Sequence, residues 1–483
     1  MATETEKTPM QLYWQAYIKF VSDVVGIGQA GSNDSRVLFI SPAITSSVAA
    51  SAFIPTAATN WELYNKVNAL LNPGTDSAFY EPVASSSYFD SLLKYLMLVD
   101  IPNSLTPGAK KRLEEAEEAM FDSFDKKEDE LAKAEWRYAE DPNPNKLPFT
   151  LWADAKAPRY KAALQKYNVS ASKWESAMNA ASGGLGEMDL QKDKTRFINI
   201  HNANDPGADP AANRIVGCMP AYEMQIGNLE LLIQNASRTD NPHPVEEPKD
   251  QDVRWRASYS IDPTYRSTMD EWARSFDTTP PQKQTLEMSE GRDFRWQNYG
   301  HKEITGGASV SSYGLFRLGA QHNQSEKFDK VTTEYSSSDI EITITWRAMR
   351  LFNVSPGIWD IPDIYSKYPT LKADAVPPNR DLIRPTQLLC ASGLGATIKF
   401  SDQARKSMDE HITKASSTSG SGGVRLGFLG FKAKAKGGVS STSTTDVHEF
   451  TWKSEVGELI IEPTPNYGSA QLLAVVGQRL ATA

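Results

Sequence analysis

The sharpest alternation of apolar and polar positions lies in Ile340-Glu341-Ile342-Thr343-Ile344-Thr345-Trp346-Arg347. Ile340, Ile342, Ile344 and Trp346 share one parity, and Glu341, Thr343, Thr345 and Arg347 the other. A period of two assigns each set to one face of a strand, and β-branched and aromatic side chains suit that pleated surface. The surrounding stretch, residues 306–351, opens on Gly306-Gly307 and carries Phe316, Leu318 and Ala320 at alternate positions. It runs through polar Gln321 to Ser325 and returns by Ser336-Ser337-Ser338. Residues 422–476 follow a similar plan. Gly422-Gly423 is followed by Phe428, Phe431, Ala433 and Ala435, a Ser/Thr run over 440–445, then Phe450, Trp452 and Leu459-Ile460-Ile461. The shared order predicts two similar Ser/Thr-rich β-ribbons of duplicated origin.

Helical spacing governs residues 106–184. Thr106-Pro107 offers a capping hydroxyl followed by proline at the first helical position. Leu113, Ala116, Met120, Phe124, Leu131, Ala134 and Tyr138 then recur amid dense charge, and Asp141-Pro142-Asn143-Pro144 ends the helix. The return carries Tyr160, Leu164, Tyr167, Ala171, Trp174 and Met178 in steps of four and three, a heptad seam that stops at Gly183-Gly184. Two facing stripes predict a long antiparallel α-hairpin, standing out from the body as a stalk.

The rest completes an α+β, multidomain expectation. Residues 1–105 read as a mixed α/β part, with helices over 12–25, 61–71 and 88–97 and a strand over 37–40. In the first of these helices Leu12, Ala16, Phe20 and Val24 form one face. Residues 185–251, rich in Asn, Asp, Pro and Gly, read as a loop-rich connection with short elements. Residues 252–483 read as an antiparallel β-domain. There Val253 to Ile261 alternates with Arg254 and Arg256 on the open face, strands are expected over 285–288, 294–296, 388–390 and 396–400, and a short helix over 402–414.

Composition narrows the function classes. Across 483 residues, 40% hydrophobic and 23% charged positions describe a globular chain. A net charge of −9 gives no general basic surface, so no nucleic-acid partner is expected. Two cysteines, Cys218 and Cys390, build no disulfide framework and are expected to be reduced. The first residues lack the basic and apolar segments of a secretory signal, and no apolar run reaches membrane-helix length. The expected location is cytoplasmic, with leaderless export compatible.

Chemical motifs are sparse. Gly26-Ile27-Gly28-Gln29-Ala30-Gly31 matches a dinucleotide-loop string. It follows a helical pattern instead of a strand, and no acidic residue stands about 20 positions on. A helix stop and turn explains it better, and no cofactor is expected. The six histidines have no metal-ligand spacing, so no metal is expected; His301, His322 and His448 remain candidates for a ligand site, the last two at comparable places in the ribbons. Walker, zincin and nucleophile-elbow motifs are absent.

Tyr299-Gly300-His301 followed by Gly306-Gly307 resembles part of the membrane-attack-complex/perforin signature, in which an aromatic-Gly-Thr-His run precedes Gly-Gly. This chain lacks the Thr and has a shorter gap. In its order of parts the whole chain resembles an uncharacterised group of bacterial and fungal proteins with a charged helical hairpin and paired Gly/Ser-rich ribbons. Three readings follow. The first is a membrane-interacting, pore-forming or toxin-like protein whose ribbons insert or self-associate, with Phe316, Leu318, Ala320, Ile340, Ile342, Ile344, Trp346, Phe428, Phe431, Ala433, Ala435, Phe450 and Trp452 as membrane or assembly residues. The second is a non-catalytic β-rich binding or structural protein, with the hairpin free to take a protein partner. The third is an enzyme with Trp255, Tyr259, Trp296, Tyr299 and Trp346 lining a cleft and His301 or His322 as base.

Overall fold

The computed structural model describes residues 9–27, 35–41, 54–69, 71, 87–100, 107–141, 143, 149–181, 185–204, 216–222, 253–286, 316–322, 325–330, 339–375, 382–418, 424–428, 431–435, 448–463 and 470–480. They form an α+β structure with two principal sheets.

The smaller sheet has five strands: β1 (Arg36–Ile40), β16 (Gln471–Arg479), β10 (Ile383–Ser392), β9 (Ala348–Pro356) and β4 (Tyr259–Ile261), in that order. Both of its faces are buried. Val37 and Phe39 face one core, with Leu388, Cys390, Leu472 and Val475; Leu38 and Ile40 face a second, with Leu389, Ala391, Leu473 and Val476. A sheet covered on both sides needs apolar residues at successive positions, as in Leu472-Leu473-Ala474-Val475-Val476.

The larger sheet has nine strands. Its first four are β5 (Gln282–Thr285), β8 (Ile340–Trp346), β11 (Gly395–Phe400) and β15 (Glu458–Glu462). Then follow β14 (His448–Lys453), β13 (Phe431–Ala435), β12 (Val424–Phe428), β6 (Phe316–His322) and β7 (Ser325–Lys330). The alternating strand β8 turns Ile340, Ile342, Ile344 and Trp346 into the second core, which α1 (Pro9–Val25) and α9 (Asp402–Thr418) also enter through Tyr17, Val21, Ala404 and Met408. The chain passes between sheets at Arg347 and at Ser392-Gly393, where Arg347 N–H donates to the Ser392 carbonyl at 3.0 Å. Gly393 has φ +61°, and a Cβ there would meet Arg347 Cγ at 2.8 Å, so glycine suits both the backbone and the space.

The two ribbons are strands of one sheet. Hairpin β6–β7 turns at His322↔Ser325, hairpin β12–β13 at Phe428↔Phe431, and β6 pairs directly with β12. One feature departs from the expectation of a long second hairpin. Strands β13 and β14 are parallel, with Ala433 opposite His448, so the 440–445 run connects parallel neighbours instead of tipping a ribbon. The run itself lies outside the described residues, as do Gly306-Gly307, Ser336 to Ser338 and the expected strand at 294–296.

On the other side of the five-stranded sheet lie α3 (Tyr88–Leu98), the α-hairpin and α7 (Leu185–His201). The hairpin consists of α4 (Pro107–Ala139), returning through α5 (Phe149–Lys156) and α6 (Pro158–Ala181). Tyr160, Leu164, Tyr167, Trp174 and Met178 are buried and Ala171 partly so. The hairpin does not stand free as a stalk. Met120, Tyr167, Trp174 and Met178 join the first core, Glu117 bonds Lys194 on α7 and Lys372 beyond it, and Phe149 lies under Arg254. Helix α7 replaces the loop expected after Gly184, and α8 (Tyr265–Arg274) is a second helix that apolar periodicity did not reveal. In α1 the buried face is Tyr13, Trp14, Tyr17, Ile18, Phe20 and Val21; Val24 points outward, 39% exposed. Gly26, at φ +70°, ends α1 by donating to the Ser22 carbonyl at 2.8 Å.

Candidate functional site: a cleft between the α-hairpin and strand β3

Strand β3 (Val253–Ala257) pairs with β2 (Cys218–Tyr222) as a separate two-stranded sheet beside α2 (Thr56–Val67). Between β3 and the hairpin runs a small cleft of about 180 Å³. Tyr64 of α2, Phe89 and Asp90 of α3, Lys127, Glu128, Leu131 and Glu135 of α4, Phe149, Tyr160, His201, Asn204 and residues 254–257 line it.

Its centre is His201, the last residue of α7. Nε2 lies 3.2 Å from Glu128 Oε1 and Nδ1 3.7 Å from Asp90 Oδ1, while the ring lies 4.7 Å from that of Phe124. Burial alone would lower the imidazole pKa, but Asp90 and Glu128 outweigh it and raise the value to about 9. Burial in turn pushes the carboxylates up, and His201 more than compensates, so both are held below the usual range. Asp90 is also positioned locally. Ser87 caps α3 by accepting from Asp90 N–H at 2.9 Å, and its hydroxyl donates to Asp90 Oδ2 at 2.6 Å.

Lys127 is almost wholly buried beside this triad. Its ammonium donates to Asn202 Oδ1 at 3.2 Å, lies 3.7 Å from Glu128 and sits 4.8 Å from the centre of the Tyr167 ring. Asn204 then fixes the opposite wall. Its side-chain amide donates to the Trp255 carbonyl and accepts from Trp255 N–H, both at 2.6 Å, acting as a neighbouring strand would. Arg254 and Arg256, two residues apart and therefore on one face of β3, lie over Phe149 and over Trp61 with Tyr64. The face read as open is thus the wall of the cleft.

The expected site residues fall elsewhere. Val424, Leu426 and Phe428 enter the second core with Ile340, Ile342, Ile344, Trp346, Phe450 and, partly, Ala435 and Trp452. Trp452 Nε1 donates to Asp409 on α9 at 2.7 Å. Phe316, Leu318 and Ala320 stand opposite Phe428, Leu426 and Val424; Phe431 and Ala433 stand opposite Phe428 and Leu426 on the other side. His322 ends β6 and His448 begins β14, with β12 and β13 between them, so the fold does not place them on neighbouring strands. His301, Trp296 and Tyr299 lie outside the described residues, as does the whole Tyr299 to Gly307 signature. The aromatic set expected to share a cleft divides: Trp255 lines it, Tyr259 is buried in the first core and Trp346 in the second.

Among the described residues no cluster of three or more His, Cys, Asp or Glu is arranged to hold a metal, and no helix is long and apolar enough to cross a membrane. Compared with protein-family models, with curated proteins and with solved structures, the chain matches none.

Proposed function

We propose that the protein is a non-catalytic binding protein whose cleft between the α-hairpin and β3 receives a small molecule. One observation carries the reading: an open, aromatic-walled cleft is built around an imidazolium clamped by two carboxylates. With a pKa raised to about 9, His201 keeps its proton at neutral pH and is a poor general base there. Its charge and two ion contacts instead hold three helices at a set spacing, which is what a preformed site requires. A fragment screen on the intact protein tests this, read by NMR shifts of the His201 imidazole and the Trp255 indole. Hits that move both resonances support the reading. A screen whose hits all map elsewhere overturns it.

A second reading, membrane insertion through the ribbons, has its own support. The β6–β12 register aligns the alternating apolar positions of both ribbons, Phe316 with Phe428, Leu318 with Leu426 and Ala320 with Val424. Val424, Leu426 and Phe428 are buried in the second core, so insertion would have to withdraw them from it. Dye release from anionic liposomes with membrane-bound oligomers would favour this reading over the first. Absence of leakage at both pH 7 and pH 5 would remove it. A protein partner on the hairpin would have to use its outer surface, where Trp136 and Val169 are exposed, because the seam is consumed by packing.

A further inference from the structure

We propose that the cleft selects an oxyanion, a carboxylate or a phosphate monoester, carried on a flat apolar body, and that Arg256 reads the anion. The inference rests on the cleft-binding reading and adds the ligand class to it.

Arg254 and Arg256 project from one face of β3, with Ala221 and Met219 of β2 paired beside them. The Arg254 guanidinium carbon lies 4.7 Å from the centre of the Phe149 ring; that of Arg256 lies 5.2 Å from Trp61 and 5.6 Å from Tyr64. Stacking holds a guanidinium by its face and leaves the N–H groups to donate in its plane, the geometry that meets the two oxygens of a carboxylate or phosphate. Arg256 Nε is buried and has no hydrogen-bond acceptor among the described residues. A buried donor in that state is costly, so the Arg256 side chain is held there by its rings and not by a protein acceptor.

Charge points the same way. Lys127, His201, Arg254 and Arg256 supply four cations at the cleft, against the carboxylates of Asp90, Glu128 and Glu135. His201 and Lys127 are already committed to Asp90 and Glu128, which leaves the two arginines of β3 as the cations turned to the cleft. Tyr64, Phe149 and Tyr160 supply apolar surface to the lining for the body of a ligand.

The test uses four probes of similar size on the intact protein: phenyl phosphate, benzoate, benzyl alcohol and benzylammonium. Binding is read by saturation-transfer NMR and by shifts of His201 and Trp255 at probe concentrations of about 1 mM. Phenyl phosphate, benzoate or both are expected to bind, with benzyl alcohol and benzylammonium much weaker. Arg256→Gln should weaken the bound oxyanion about tenfold or more, and Arg256→Lys, which keeps the charge without the planar fork, should restore only part of it. Near-UV circular dichroism checks that both variants retain the fold. Equal or better binding of the alcohol or the ammonium at His201 and Trp255 overturns the ligand class while leaving cleft binding intact. Oxyanion binding unchanged in a folded Arg256→Gln variant overturns the role of Arg256. No cleft shift with these probes overturns the ligand class, and a broader fragment screen equally silent there overturns the cleft reading too.

Discussion

His201 Nε2 stands 3.2 Å from Glu128 Oε1, and this contact ties the end of α7 to the first arm of the hairpin. Through Nδ1 the same ring faces Asp90 on α3 at 3.7 Å, so one imidazolium joins three helices that are distant in sequence. Charge on that ring is therefore coupled to how the hairpin seats on the body.

The pH dependence follows with a definite sign. His201 has a folded pKa of about 9 against an ordinary 6.5, so its contribution to stability is complete below about 6.5 and is lost as pH rises through about 9. Asp90 and Glu128, both lowered, contribute above the ordinary carboxylate range and lose that contribution as pH falls through their depressed values. NMR titration of the His201 ring should give a midpoint near 9. A midpoint near 6.5 would show that the two carboxylates do not hold its proton.

Replacing the ring should leave a like-charge pair behind. His201→Ala is expected to destabilise the protein by about 1–3 kcal/mol at pH 7, because Asp90 and Glu128 then share a partly buried space without their cation. Denaturant melts should show the deficit shrinking above pH 9, where the wild-type ring is itself neutral. A deficit constant from pH 6 to pH 10 would point to lost packing and not to charge.

Glu117 offers a sharper contrast. Its carboxylate and the Lys194 ammonium, each side chain 6% exposed, meet at 2.6 Å, with Lys372 on the other oxygen. Removing the carboxylate alone strands a buried ammonium, so Glu117→Met should cost about 3–5 kcal/mol. Adding Lys194→Met should recover most of that, since Lys372 can reach water. Urea melts of the single and double variants decide it; a double variant less stable than Glu117→Met alone would refute the account.

Asn204→Ala should uncouple β3 from the 3-10 turn after α7. The Trp255 amide and carbonyl both lose their partner, with an expected cost of about 1–3 kcal/mol. Hydrogen exchange at the Trp255 amide is the direct readout and should accelerate. An unchanged exchange rate would mean that strand pairing with β2 alone fixes this wall.

Local periodicity made part of this structure legible. Ile340 to Trp346 and the Tyr160 to Met178 seam announce a strand and a helix because one face of each is buried and the other is not. The site was not legible, because it is assembled from residues with no common motif. Helix α7 carries charge on several sides, with Lys194 and Asp193 turned inward to partners on other elements, so its apolar stripe shrinks to Leu190, Phe197 and Ile200. Those three positions, seven and three apart, were the available signal. Attention to His322 and His448 rested on their matching places in the ribbons, but strand order separates them, and long-range pairing has no local signature. Parallel joining of β13 to β14 was hidden for the same reason, since a period of two looks alike in either direction.

Strand β1 reaches its partner only across nearly the whole chain, with Phe39 opposite Val475. An emerging polypeptide would hold Val37 to Ile40 unsheltered while hundreds of later positions are still being translated, and closure would wait on β16. Such a long wait favours slow maturation and gives a chaperone time to act. Deleting β16 would accordingly harm the beginning of the protein as much as its end.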